Sequence, residues 1–244
     1  MTVRRPATRA RSAIFAPLGD EGRASRVENR LAEAIRSGVL ADGERLPSEP
    51  ELAGMLGVAT VTAREALVGL RAQGLVTTTR GRGGGSFVTR SRSAGVELGG
   101  RLGAMSRVEL RDRGTVYAVV LAGCAELAAE RADDDDVDDL RDLLVRDESD
   151  VGAWRHSDSE LFLSVAALTQ SARLVREVVR LEADFGGLLR MPLADAAFRR
   201  GSTGRNVALV EAIADRDPAR ARASMRAHVD ASLERLTELH ASVR

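Results

Sequence analysis

Apolar positions along this chain recur mostly every three or four residues, the spacing of helices that bury one face. Val27, Leu31 and Ile35 predict a first helix, with Gly38 and Gly43 at its exit. In the run Leu46-Pro47-Ser48-Glu49-Pro50-Glu51-Leu52-Ala53, Ser48 and Glu51 have capping-box spacing and Pro50 falls in the first turn, where proline is tolerated. A short helix therefore starts at Ser48 and ends at Gly57. A second runs from Thr60 to Gln73, with Ala63, Ala66, Leu67 and Leu70 inward, and Gly74 closes it. The pattern then changes: Leu75–Thr79 and Ser86–Thr89 are rich in β-branched residues and flank Arg80-Gly81-Arg82-Gly83-Gly84-Gly85. That predicts a hairpin with a flexible basic tip. Two short helices around a glycine turn, followed by a hairpin, make a winged helix-turn-helix.

Beyond residue 106 the helical spacing is nearly continuous. Stripes run through Val116, Val120, Cys124 and Leu127; Leu161, Val165 and Leu168; Leu174, Val178, Leu181, Phe185 and Leu188; Val207, Val210 and Ile213; and Met225, Val229, Leu233 and Leu236. They predict an antiparallel bundle of six or seven helices. The fold class is thus mainly α, a winged helix-turn-helix with a small β-hairpin wing followed by an all-α bundle. The expected organisation is a disordered tail over 1–22, the winged domain over 23–90, a loose linker over 91–106 and the helical domain over 107–244. The acidic run Asp133–Asp136 reads as a helix start, which the helix dipole favours.

Composition sharpens this picture. Aromatic residues make up only 3% of the chain, so the cores must be aliphatic. There is no lysine, and the formal net charge is zero, but it is divided unevenly. Residues 1–92 hold 15 arginines and 9 acids, a net of +6, and residues 93–244 hold 21 arginines and 27 acids, a net of −6. Only the front half is suited to a polyanion. The single cysteine, Cys124, excludes a disulfide framework and fits a reducing cytoplasm. No apolar run approaches a membrane span, and the opening MTVRRPATRARS lacks an apolar signal core; it reads as a disordered tail, with a minor-groove arm or an Arg-rich transit peptide as the alternatives.

The basic half suits duplex DNA. A helix fits the major groove, and the second helix of the pair enters it. Its outward N-terminal positions are Thr60, Thr62 and Arg64, and Arg64 can bridge two guanine acceptors. Arg80, Gly81 and Arg82 at the hairpin tip are placed for the minor groove or the backbone, where glycine allows close approach. The run "LPSEPELAGMLGVATVTAREALVGLRAQGLV" followed by "GRGGGSFV" resembles the GntR family of regulators. The resemblance implies Ser48, Thr60, Thr62, Arg64, Arg80, Gly81 and Arg82 on double-stranded operator DNA. Two departures stand out. Pro50 replaces an arginine of the family pattern, and Ala59-Thr60 replaces its Ser-Arg, which weakens a helix cap by about 1 kcal/mol and leaves Thr60 to take it over.

The back half resembles the FCD effector-binding domain of the FadR-like branch, carried by "YAVVLAGCAELAAERA", "DSELFLSVAALTQSARL" and "NVALVEAIADRDPARARASMRAHV". Related domains hold a divalent metal such as zinc with one Asp and three His. Here the matching positions are Asp158, Phe162, Asn206 and His228, while a family Arg and Glu fall at Tyr117 and Leu121. Asp158, Asn206 and His228 form a poor first-row metal set. The other reading is a pocket whose polar groups pair with one another, Asp158 with His228, and which Tyr117, Leu121 and Phe162 make more apolar, suited to an acyl, aromatic or secondary-metabolite effector. His156 and His240 read as surface residues. The leading expectation is a ligand-responsive repressor acting as a homodimer on a pseudo-palindrome. The alternatives are an effector-independent DNA-binding regulator with a decayed pocket, and a metal-dependent enzyme on the helical half. Against the enzyme stand the absence of a nucleophile–base pair and of a phosphate loop, and a total of three histidines.

Overall fold

The computed structural model describes residues 15, 23–37, 39–40, 42–81, 83–89, 94–144 and 151–243. The chain runs α1 (Arg23–Ser37), α2 (Glu49–Leu56), α3 (Thr60–Ala72), β1 (Val76–Thr79), β2 (Gly85–Val88), α4 (Ala94–Ala104), α5 (Arg107–Arg131), α6 (Asp134–Asp142), α7 (Val151–Leu168) and α8 (Ala172–Leu181). A π-helical turn (Glu182–Gly186), a short helical turn (Gly187–Leu189) and a 3-10 turn (Met191–Ala194) then lead to α9 (Ala196–Ala214) and α10 (Pro218–Val243). Of the expected 1–22 tail only Phe15 is among the described residues, and it is buried.

The front unit is a winged helix-turn-helix. Ser48 caps α2 through its capping box with Glu51, Pro50 sits in the first turn, and Gly57 ends the helix at φ +67°. α2 and α3 meet at 110°, the crossing of a helix-turn-helix. Val27, Leu31, Ala34 and Ile35 of α1 are fully buried, as are Ala63, Ala66 and Leu70 of α3, and the two helices pack together. The strands pair antiparallel with Val76 opposite Val88 and Thr79 opposite Gly85. A third extended stretch joins this wing. Leu46 N–H donates to Ser86 O and Val88 N–H to Glu44 O, and Arg45 bridges to Phe87.

The back unit is a helical bundle centred on the two longest helices, α5 and α10, which pack along each other. Gly114 of α5 lets them approach, because a Cβ there would lie 2.5 Å from Leu233 Cδ1. The acidic run serves the helix start: Asp133 caps α6 and accepts from Asp136 N–H. Cys124 is buried, and burial pushes its thiol up to about 12.

Three expectations differ from the structure. The loose stretch over 91–106 carries a helix, α4, whose Leu102 is fully buried and whose C-terminal neighbour Met105 is nearly so. The glycines in that stretch hid an apolar spacing of three to four residues. Two stripes were also out of phase, since Val116 and Val207 are 42% and 40% exposed. The buried face of α5 instead runs through Leu110, Gly114, Tyr117, Leu121, Ala125 and Ala128, and a search for large apolar side chains passes over the three small residues among them. Finally, His240 is fully buried, with Nε2 2.9 Å from Met105 O, because α10 turns it inward beneath the end of α4.

The α5–α10 contact yields a prediction. Gly114→Val should overpack the seam and destabilise the protein by about 1–3 kcal/mol, lowering its Tm in a calorimetric scan. An unchanged Tm would mean that the two helices do not approach as closely as described.

Candidate DNA-reading face and buried ionic site

The N-terminus of α3 is open to solvent. Thr60 and Arg64 are exposed, Thr62 is half-buried, and Val61 is 57% exposed. Val61 escaped the sequence reading because an apolar residue in an amphipathic helix is assumed to point inward; exposed here, it suits a thymine methyl. The helix cap is Ala59 and no side chain bonds to it, so Thr60 does not take over the capping role. Arg64 Nε donates to Glu49 Oε2 at 2.8 Å, which anchors the guanidinium by its inner edge.

Beside α3, a groove of about 950 Å³ runs between α2 and the wing, lined by residues that include Arg45, Ser48, Met55, Arg71 and Thr78. Ser48 lies in this groove with its hydroxyl donating to Glu51 Oε2 at 2.7 Å. Arg45 donates to Gly84 O, and a Cβ on Gly85 would lie 2.8 Å from its Nε, so the wing glycines make room for this arginine. Arg71 donates to Thr78 Oγ1. Arg45 and Arg71 were not among the residues expected on DNA, and the fold brings them to this face. Arg80 is exposed at the wing tip and Gly81 adopts φ +104°; Arg82 lies outside the described residues.

The bundle contains a second constellation, fully enclosed. Arg190, 5% exposed, donates through Nη1 to Glu182 Oε2 at 2.6 Å and through Nη2 to Glu182 Oε1 at 3.0 Å. Its Nε lies 3.2 Å from Asp158 Oδ2, and its guanidinium lies over the Phe162 ring at 5.6 Å. Asn206 Nδ2 donates to Asp158 Oδ1 at 3.1 Å, and His228 Nε2 lies 3.7 Å from the same oxygen. His228 meets Phe162 edge to face. The Tyr117 hydroxyl donates to Glu182, and Leu121 is buried on the same helix. Burial and the Glu182 charge push the phenol well above its ordinary value, which keeps it a donor. Burial works against the Arg190 charge, but the Glu182 and Asp158 carboxylates outweigh it and hold the guanidinium more firmly protonated than usual. Removing one partner of such a pair costs about 3–5 kcal/mol.

Tyr117, Asp158, Phe162, Asn206 and His228 thus belong to one buried region, as Glu182 and Arg190 also do. The latter two make it ionic rather than apolar. Glu182 falls on the buried face that Val175, Val178, Val179 and Phe185 mark out, where a search for apolar side chains passes over a carboxylate, and Arg190 lies in the irregular chain after the π-turn. His156 is surface-exposed beside Glu160.

Residues 23–88 match the gntR family of bacterial regulatory proteins and residues 115–231 match the FCD domain. The chain is 34% identical over 224 residues to the HTH-type transcriptional regulator RmpR of Mycobacterium gastri, covering 89% of this chain and 81% of that one. The chain belongs to the GntR family. This GntR-family regulator is also 29% identical over 213 residues to the Uxu operon transcriptional regulator of Escherichia coli, covering 80% and 79% of the two chains. Its fold resembles that of E. coli McbR/YncC, with a TM-score of 0.54 at 17% identity over 90% of this chain and 99% of that one.

The metal that FCD domains can hold does not fit this GntR regulator. Both Asp158 oxygens are engaged by cationic or N–H donors, a phenylalanine stands at one ligand position, and a single imidazole remains. Among the described residues no group of three His, Cys, Asp or Glu side chains could hold a metal ion. A first-row cation would have to compete with Arg190 for Asp158. Zinc or a chelator should therefore leave the Tm unchanged. Saturable one-to-one zinc uptake in calorimetry, abolished by His228→Ala, would contradict this.

Proposed function

We propose that this GntR-family protein is a ligand-responsive repressor that binds a pseudo-palindromic operator as a homodimer in the cytoplasm, without enzymatic activity. The observation that carries the reading is the open N-terminus of α3, with Thr60, Val61 and Arg64 beside a groove lined by Arg45 and Arg71. In this reading α3 enters the major groove, the wing with Arg80, Gly81 and Arg82 follows the adjacent minor groove or backbone, and Ser48 and Arg45 meet phosphates. The Glu49 pair aims Arg64: with Nε held from within, the terminal nitrogens are left to meet guanine O6 and N7. The effector would enter the helical domain at the region of Tyr117, Asp158, Phe162, Asn206 and His228. Among the described residues no single helix is long and apolar enough to cross a membrane.

A second reading, an effector-independent regulator, draws support from the completeness of the Asp158 and Glu182 pairing. A thermal-shift screen of metabolites separates the two, since a ligand that binds only the folded state raises the Tm.

The test of DNA recognition is Arg64→Ala. In a gel-shift assay with a duplex selected from a random pool by the wild-type protein, affinity should fall about 10- to 100-fold, matching the 1–3 kcal/mol of a bidentate guanine contact. Base preference should relax at one position per half-site while the dimer persists. Unchanged affinity would remove α3 from the groove.

A further inference from the structure

The π-turn Glu182–Gly186 touches both halves of the molecule. On its buried side Glu182 receives Arg190 and Tyr117, and Ser159 Oγ lies 3.4 Å away. Toward solvent, Arg113 donates to both Asp184 carboxylate oxygens at 2.5 and 2.6 Å, and Arg101 of α4 donates to the Asp184 carbonyl. Gly186 completes the turn. A side chain there would collide with the Glu182 carboxylate and lie 2.7 Å from Arg190 Nη1, so the ion pair requires glycine at this position.

α1 of the DNA-binding unit packs on this same turn. Its opposite face is tied to the recognition helix. Arg36 donates to Gln73 Oε1 at 2.7 Å, Gln73 Nε2 donates to Glu28 Oε1 at 2.6 Å, and a Cβ on Gly69 of α3 would overlap the Glu28 carboxylate. One helix therefore joins the buried ion pair's own turn to α3. The cleft between α1 and α8 is lined by Arg26, Arg30, Arg173, Arg176 and Arg180 against Glu33 and Glu177. Burial, then the charges of Arg176 and Arg26, hold Arg30 below its ordinary value.

A π-turn holds one residue more than an α-turn, and relaxing it shifts register by one residue, about 100° of helical rotation. We propose that the Glu182–Arg190 pair is the switch of the effector domain: a ligand that takes Arg190 from Glu182 releases the π-turn, and the turn displaces α1 and with it α3. This rests on the ligand-responsive reading above and names its transmission route. The ligand must present acceptor oxygens of its own to the guanidinium, because only such a group replaces a carboxylate there.

Glu182→Gln keeps the shape of the side chain and removes the charge, and Gly186→Ala wedges the pair apart without replacing either partner. Hydrogen exchange on the full-length protein should become faster in both variants, within 182–186 and across the domain boundary in 23–37. Affinity for the duplex selected by the wild-type protein should fall about tenfold. Leu140→Ala in α6 destabilises the same domain away from the turn, and it should leave exchange in α1 unchanged and affinity within about twofold. Wild-type exchange in α1 in both variants overturns the proposal, as does an equal effect from Leu140→Ala. Failure of the wild-type protein to select any duplex would instead remove the functional reading, and exchange in α1 would still decide the coupling.

Discussion

α1 is buried on two sides, and everything that distinguishes this protein from two independent modules depends on that burial. Val27, Leu31, Ala34 and Ile35 are sealed from water, and each larger aliphatic side chain contributes about 1.5–3 kcal/mol. On one side the helix fixes α3 through close packing at Gly69 and through the Arg36–Gln73–Glu28 hydrogen bonds. On the other it rests on the π-turn and α8 of the bundle. The orientation of the recognition helix is thereby referred to the interior of the effector domain rather than to a free linker.

Much of this was legible in the sequence, and for physical reasons. The capping box at Ser48 and Glu51, the left-handed Gly57 and the β-branched strands around a glycine tip are local devices, and each forms where its residues place it. The helical domain was legible as helices but not in phase. Its long helices bury Ala and Gly where close packing is needed and expose Val116, Val119 and Val207, which inverts the usual reading of apolar stripes. α4 was missed because its glycines suggested a loop, although Leu102 anchors it.

The site followed the same division. Thr60 and Arg64 lie on a local motif, whereas Arg45 and Arg71 reach the groove only through the tertiary arrangement of the wing. In the bundle, the resemblance to FCD domains points to Asp158, Phe162, Asn206 and His228 as one site, and the structure holds them in one buried region. Glu182 lies on the buried face that Val178, Val179 and Phe185 share, but a carboxylate in an apolar stripe is not read as core. Arg190 then supplies a fixed positive charge beside Asp158, where related domains bring a metal ion. A guanidinium held on a covalent tether pairs with two carboxylates without depending on metal supply. Its planar fork also suits exchange of one carboxylate for another acceptor.

If α3 reads a duplex, its footprint should be visible directly on the DNA. Hydroxyl-radical cleavage of a protein-selected duplex, at near-physiological salt, should show two protected half-sites about one helical turn apart, with protection extending over the minor groove beside each. A uniform cleavage pattern at protein concentrations that saturate the duplex would contradict the account.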